Sequence, residues 1–141
     1  KSSRHDMNFQ LEKIKPNFIN RIDKFADKKK SMNVKDMEKI YSNTNFAPCP
    51  AGFFHPESYR IYEALQCGAI PIVESVYNYF DSTYPKNPMI KIKKWEEARE
   101  IIDNWDFEKI LRKRQECFSW WNKYLSDHKN FIKKKIIFYI S

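Results

Sequence analysis

Apolar residues recur at helical spacing along most of the chain and gather into short continuous or alternating runs at three places. In residues 5–15, Met7, Phe9, Leu11 and Ile14 predict a short helix that Pro16 closes. Within 17–25, Phe18, Ile19, Ile22 and Phe25 suit either a strand or a helix, and Lys28, Lys29 and Lys30 form a solvated charge run. Asn33 or Ser31 is placed to cap a helix through Val34, Met37, Ile40 and Tyr41. The proline-bounded run 45–50 predicts a brief strand, followed by a helix that opens near Pro56 and stops at Gly68. Residues 69–73 are continuously apolar, as in a parallel strand covered on both faces. Pro85 and Pro88 mark a loop, 89–93 alternate like a strand, and 95–105 read as a helix with Glu96 and Glu97 at its positive end. Residues 107–137 look helical throughout. Strands separated by helices predict an α/β layer with parallel pairing.

Composition narrows the class. The 141 residues, 42% hydrophobic and 16% aromatic, suit one domain with a real core rather than a disordered tail. Lys and Arg exceed Asp and Glu by 26 to 18, a net charge of +8, which favours an anionic partner. Cys49, Cys67 and Cys117 show no zinc spacing, and their odd number argues against a complete disulfide framework. No stretch approaches the roughly 20 apolar residues that span a bilayer. A first residue other than Met and an apolar last run, 136–140, are what a piece of something larger would show.

Both glycines, Gly52 and Gly68, fall in residues 48–74, which read as strand, turn, helix, stop and strand. A glycine-bearing turn that enters a helix leaves backbone N–H groups free at the positive end of the helix dipole, an anion site. Gly52 would let a phosphate approach the backbone, and Arg60, one turn inside, can fork two hydrogen bonds onto a diphosphate. Glu63 is placed to accept from ribose hydroxyls. The plain alternatives are an i,i+3 salt bridge between Arg60 and Glu63, a turn glycine, a cap glycine and a packed or capping His55. Glu74, just past the apolar strand, either touches a ligand or faces solvent.

Residues 46–74, with Phe46-Ala-Pro-Cys-Pro-Ala-Gly52 and then Arg60-Ile-Tyr-Glu-Ala-Leu-Gln-Cys-Gly-Ala-Ile-Pro-Ile-Val73, resemble the signature of exostosin-like glycosyltransferases. Tyr59-Arg-Ile-Tyr-Glu-Ala64 is closest to the ribitol xylosyltransferase branch of that family. Looser similarity covers Ser2-Ser-Arg4, the Trp95-Glu-Glu-Ala98 segment and the helix through Trp120, Trp121 and Tyr124. The resemblance implies the Rossmann-like C-terminal half of a GT-B glycosyltransferase, with 1–141 as one partial nucleotide-sugar-binding domain and 106–137 as closing helices. It implies a UDP-sugar donor, a glycan acceptor and an N-terminal half of the same protein as partners, with no nucleic acid. Carried over, Arg60 meets the diphosphate, Glu63 the ribose or sugar, Arg4 a second phosphate, and the turn with Gly52, His55, Ser58 and Tyr59 lines the crevice. No Asp-x-Asp occurs, so the resemblance implies transfer without a metal or other cofactor, the leaving diphosphate being stabilised by cations and helix dipoles. The family's usual compartment is the Golgi lumen, or the cytoplasm for bacterial and viral relatives.

Two other readings stand beside it. Lysines interleaved with aromatics over 109–139 fit a non-catalytic basic module that binds nucleic acid or another polyanion. The same chain also fits a degenerate relative kept for assembly with a partner.

Overall fold

The computed structural model describes residues 3–20, 32–52, 54–75 and 77–140. Among them lie three strands, β1 (Phe46–Cys49), β2 (Ile70–Glu74) and β3 (Ile90–Ile92). All pair parallel in the order β1-β2-β3, with Cys49 opposite Val73 and Glu74 opposite Ile92. The helices are α1 (Ser3–Leu11), α2 (Val34–Ser42), α3 (Tyr59–Gln66), α4 (Tyr79–Thr83), α5 (Trp95–Asn104) and α6 (Phe107–Ile140). The expected α/β architecture with a parallel sheet and a long helical C-terminus is therefore observed.

Four successive residues of β2, from Ile70 to Val73, are buried, which requires cover on both faces of the central strand. α3 packs on β1 and β2, α6 packs on α3 and β2, and α5 packs on β3 and carries α1. Trp95, Phe80, Ile61, Leu65 and Ile72 are the large side chains at the centre. Fully burying one aliphatic side chain of that size contributes about 1.5–3 kcal/mol. The aromatics of α6 nearest this core face inward. Trp121 lies 5.9 Å from Tyr62, and Tyr124 stacks on Trp120 at 5.1 Å, while the Trp120 indole donates to Pro85 O at 3.2 Å. The helical spacing of Trp120, Trp121 and Tyr124 thus serves packing.

Several boundaries follow local chemistry. Asp36 N donates to Asn33 Oδ1 at 2.9 Å, so Asn33 caps α2, while Ser31 lies outside the described residues. Gly68, at φ +75°, closes α3: Ala69 N donates to Ala64 O at 2.9 Å and Gly68 N to Leu65 O at 3.3 Å. The Lys94 N–H donates to Glu97 Oε1 at 3.1 Å and fixes the start of α5.

Other boundaries differ from the pattern. α1 ends at Leu11, because the Asn17 amide donates to the Glu12 and Ile14 carbonyls at 2.8 and 2.6 Å and holds that stretch as turns. Residues 17–20 form no regular element, and the remainder of 17–25 and the Lys28–Lys30 run lie outside the described residues. α3 starts at Tyr59, three residues after Pro56, because 54–58 are drawn into a turn that ends at an extended Ser58. α4 follows two residues in the left-handed region, Tyr77 and Asn78, and no apolar period announces it. Beyond Asp106 the chain is one continuous helix, α6, in line with the helical reading of 107–137.

Candidate functional site

The turn after β1 emerges at the carboxyl end of the parallel sheet, where ligands of open α/β folds bind. Two features hold it. Ala51 N donates to Glu74 Oε2 at 3.4 Å, tying the start of the turn to the end of β2. Further along, the Glu57 carboxylate accepts from Tyr84 Oη at 2.6 Å and Tyr79 Oη at 2.9 Å, and Tyr84 is in turn 2.5 Å from Tyr62 Oη. Burial alone would raise the Glu57 carboxyl, but the hydrogen bonds from Tyr84, Tyr79 and Tyr62 and the charge of His55 outweigh it and hold it below the usual value.

Gly52 has a different reason from the one its sequence context suggests. A Cβ there would lie 3.1 Å from both the His55 and Glu57 carbonyl oxygens, so the missing side chain lets the turn close on itself. The space a Cβ would need is taken by the turn's own backbone.

Arg60, Glu63 and Arg4 come together around the first turn of α3. The Arg4 guanidinium has its proton affinity lowered, first by desolvation and then by the charge of Arg60. Arg4 on α1 is therefore partly desolvated and close enough to feel the like charge of Arg60 on α3. Among the described residues no carboxylate lies within ion-pair distance of either guanidinium, and the i,i+3 salt bridge between Arg60 and Glu63 is not formed. Glu63 is half-buried and faces Tyr41 of α2 instead. The Tyr41 phenol is pushed well above its usual range, chiefly by burial, then by Cys49 and Glu63, with hydrogen bonding to Glu63 adding and Arg60 opposing. Cys49, at the end of β1 and fully buried, has its thiol pushed up to about 12 by burial, with Arg60 opposing and Glu63 adding.

The other expected site residues are placed less centrally. Ser58 is the N-cap of α3, yet its hydroxyl makes no cap bond and is buried with no partner among the described residues. Tyr59 stands in solvent, 82% exposed, and His55 is exposed on the turn. The corner is thus Arg4, Arg60 and Glu63, backed by Tyr41 and Cys49. Two open grooves of about 360 and 440 Å³ lie elsewhere, one along Trp105, Lys109 and Arg112 and one along Asp36, Lys39 and Asn43.

Glu74, expected either on a ligand or in solvent, is half-buried and bonded within the fold. Its carboxylate accepts from the Ser3 hydroxyl and, at 3.1 Å, from the Trp95 indole, joining α1, β2 and α5. That clamp ties α1, which carries Arg4, to β2 and α5. Tyr41, Glu57 and the clamp role of Glu74 escaped the sequence reading, because each acts through partners distant along the chain. The one local signal was Tyr41 on the apolar stripe of α2, which reads as packing.

Among the described residues no group of three or more His, Cys, Asp or Glu is arranged to hold a metal ion, and no helix is long and apolar enough to cross a membrane. No curated protein and no solved structure matches the chain. The profile of the RXYLT1 C-terminal domain, however, matches residues 1–138, nearly the whole chain. The chain belongs to the RXYLT1 C-terminal domain family, among the exostosin-like glycosyltransferases of the ribitol xylosyltransferase branch whose wording residues 46–74 carry.

Proposed function

We propose that this chain is the donor-binding half of a GT-B glycosyltransferase that moves a sugar from a UDP-sugar to a glycan hydroxyl. The observation that carries the reading is the convergence of Arg4 and Arg60, from two separate helices, at the carboxyl end of a parallel sheet with no carboxylate paired to either among the described residues. Like charges held together in a desolvated corner are stabilised by an anion, and a diphosphate carries charge enough for both. Arg60 takes the diphosphate, with the positive end of the α3 dipole beside it. Arg4 takes a second phosphate oxygen. Glu63, held by Tyr41, accepts from the ribose or donor-sugar hydroxyls. As the glycosidic bond to the diphosphate breaks, negative charge grows on the leaving oxygen, and the two guanidinium groups stabilise it. The acceptor and the group that takes its proton belong to an N-terminal half.

Calorimetric titration of the chain with uridine diphosphate tests this reading. Saturable binding that depends on Arg60 supports it; no binding of uridine diphosphate or UDP-sugars, with the fold intact, overturns it.

A further inference from the structure

α6 runs well past the body it packs against. Its inward face carries Cys117, Trp121, Tyr124 and Leu125, and among the described residues the last ring–ring contact on that side is Tyr124 with His128 at 4.3 Å. From residue 126 to residue 137 every position is exposed. Twelve helical residues extend roughly 18 Å, so a rod of about that length projects from the domain.

The projecting part is not polar all round. Phe131 and Ile132 lie seven residues after Tyr124 and Leu125, and Ile136 one turn after Ile132, so the apolar stripe that builds the core continues in phase onto the rod. Phe131 is 60% exposed, and Ile132 and Ile136 are 51% exposed. The charges there are of one sign. Asp127 is paired with Lys123 at 2.8 Å, and between Asp127 and Ile137 the charged side chains are Lys129, Lys133, Lys134 and Lys135. On a helical wheel Lys134 borders one edge of the stripe, and Lys129 and Lys133 the other. Lys135 falls within the stripe, its amine 5.8 Å from the Phe131 ring centre, the position from which a long cationic stem reaches back to a polar boundary.

We infer that residues 129–136 of α6 form a docking surface for an anionic lipid bilayer. Three apolar side chains enter the headgroup boundary, and flanking lysines meet anionic headgroups. Charge complementarity decides against a second copy as the occupant: a two-fold contact through this stripe would set four lysines against four lysines. Association is peripheral, as no helix among the described residues can cross the membrane. The inference is independent of the donor site.

Co-sedimentation of the chain with vesicles of phosphatidylcholine plus phosphatidylserine, and of phosphatidylcholine alone, tests it. Binding is expected to the anionic vesicles only and to weaken with added salt, which screens the lysines. The variant Phe131→Ser/Ile132→Ser/Ile136→Ser should bind at least ~10-fold more weakly. A second variant, Lys129→Glu/Lys133→Glu, should also lose anionic binding. Both changes lie on exposed positions, so circular dichroism should show the fold retained. Equal binding to both vesicle types, or no loss in either variant, overturns the inference. So does a dimer in sedimentation velocity, lost in the serine variant, with no vesicle binding by the parent chain.

Discussion

The Trp95 indole donates to Glu74 Oε1 at 3.1 Å, across 21 residues of chain, and so locks the first residue of α5 to the last residue of the central strand. Trp95 is fully buried, and Ser3 of α1 bonds the same carboxylate. One side chain therefore orients three elements around the corner where Arg4 meets Arg60.

Removing that carboxylate should loosen the whole arrangement. Glu74→Ala leaves the buried Trp95 indole N–H with only the Ser3 hydroxyl at 3.3 Å, and we expect a loss of about 1–3 kcal/mol in urea unfolding, with Trp fluorescence shifted to the red. Glu74→Gln, which keeps one acceptor oxygen, should lose less. Unchanged stability in the alanine variant would show that the clamp holds nothing.

Arg60→Ala should weaken uridine diphosphate binding by roughly 1.5–3 kcal/mol, the scale of a charge-assisted hydrogen bond, while the fold stays intact. The same substitution removes the repulsion on Arg4, so its melting temperature should not fall. Calorimetric titration and thermal unfolding read the two effects separately. Equal affinity in parent and variant refutes the assignment of Arg60.

Glu57 gives the stability a pH dependence of known sign. Its folded carboxyl titrates below the ordinary 4.5, so the unfolded chain binds the proton more readily. The stabilisation is complete above the ordinary value and is lost as pH falls through the lower, folded one. Stability followed from neutral pH into that acid range should fall more steeply for the parent than for Glu57→Gln. Tyr84→Phe, which removes the 2.6 Å donor, should destabilise by about 1.5–3 kcal/mol at neutral pH and flatten the same curve. Parallel curves for all three proteins count against the tyrosine cage.

The two glycines should respond to substitution for different reasons. Gly68→Ala meets only Phe118 Cδ2 at an ordinary 3.9 Å, so its penalty is the left-handed backbone, roughly 1–2 kcal/mol. Gly52→Ala sets a Cβ 3.1 Å from two backbone oxygens, and relieving that contact must open the turn, at about 1–3 kcal/mol. Gly52→Ala should also weaken uridine diphosphate binding, whereas Gly68→Ala should not. The reverse ranking in a binding titration would place the ligand away from this turn.

Local chemistry was legible along the chain. Asn33 caps α2 and Gly68 ends α3, because each acts through backbone groups within a few residues. The continuous apolar run at 70–73 announced a strand buried on both faces. Pro56 misled, since its fitness for a first helical turn is a local preference that the Glu57 hydrogen bonds to Tyr79 and Tyr84 override. α4 was invisible because Tyr77 and Asn78 adopt left-handed backbone that only the surrounding packing selects.

The order of amino acids determined the α/β class, the family and the presence of Arg60 and Glu63 one turn apart, since periodicity and spacing are properties of the chain itself. Tertiary structure decided that those two do not pair with each other, that the charge of Arg60 reaches Arg4, and that Glu74 clamps α1 and α5 to the central strand. The reason is physical: a charge takes its partner from whatever the fold brings within a few ångströms, and that distance bears no relation to separation along the chain.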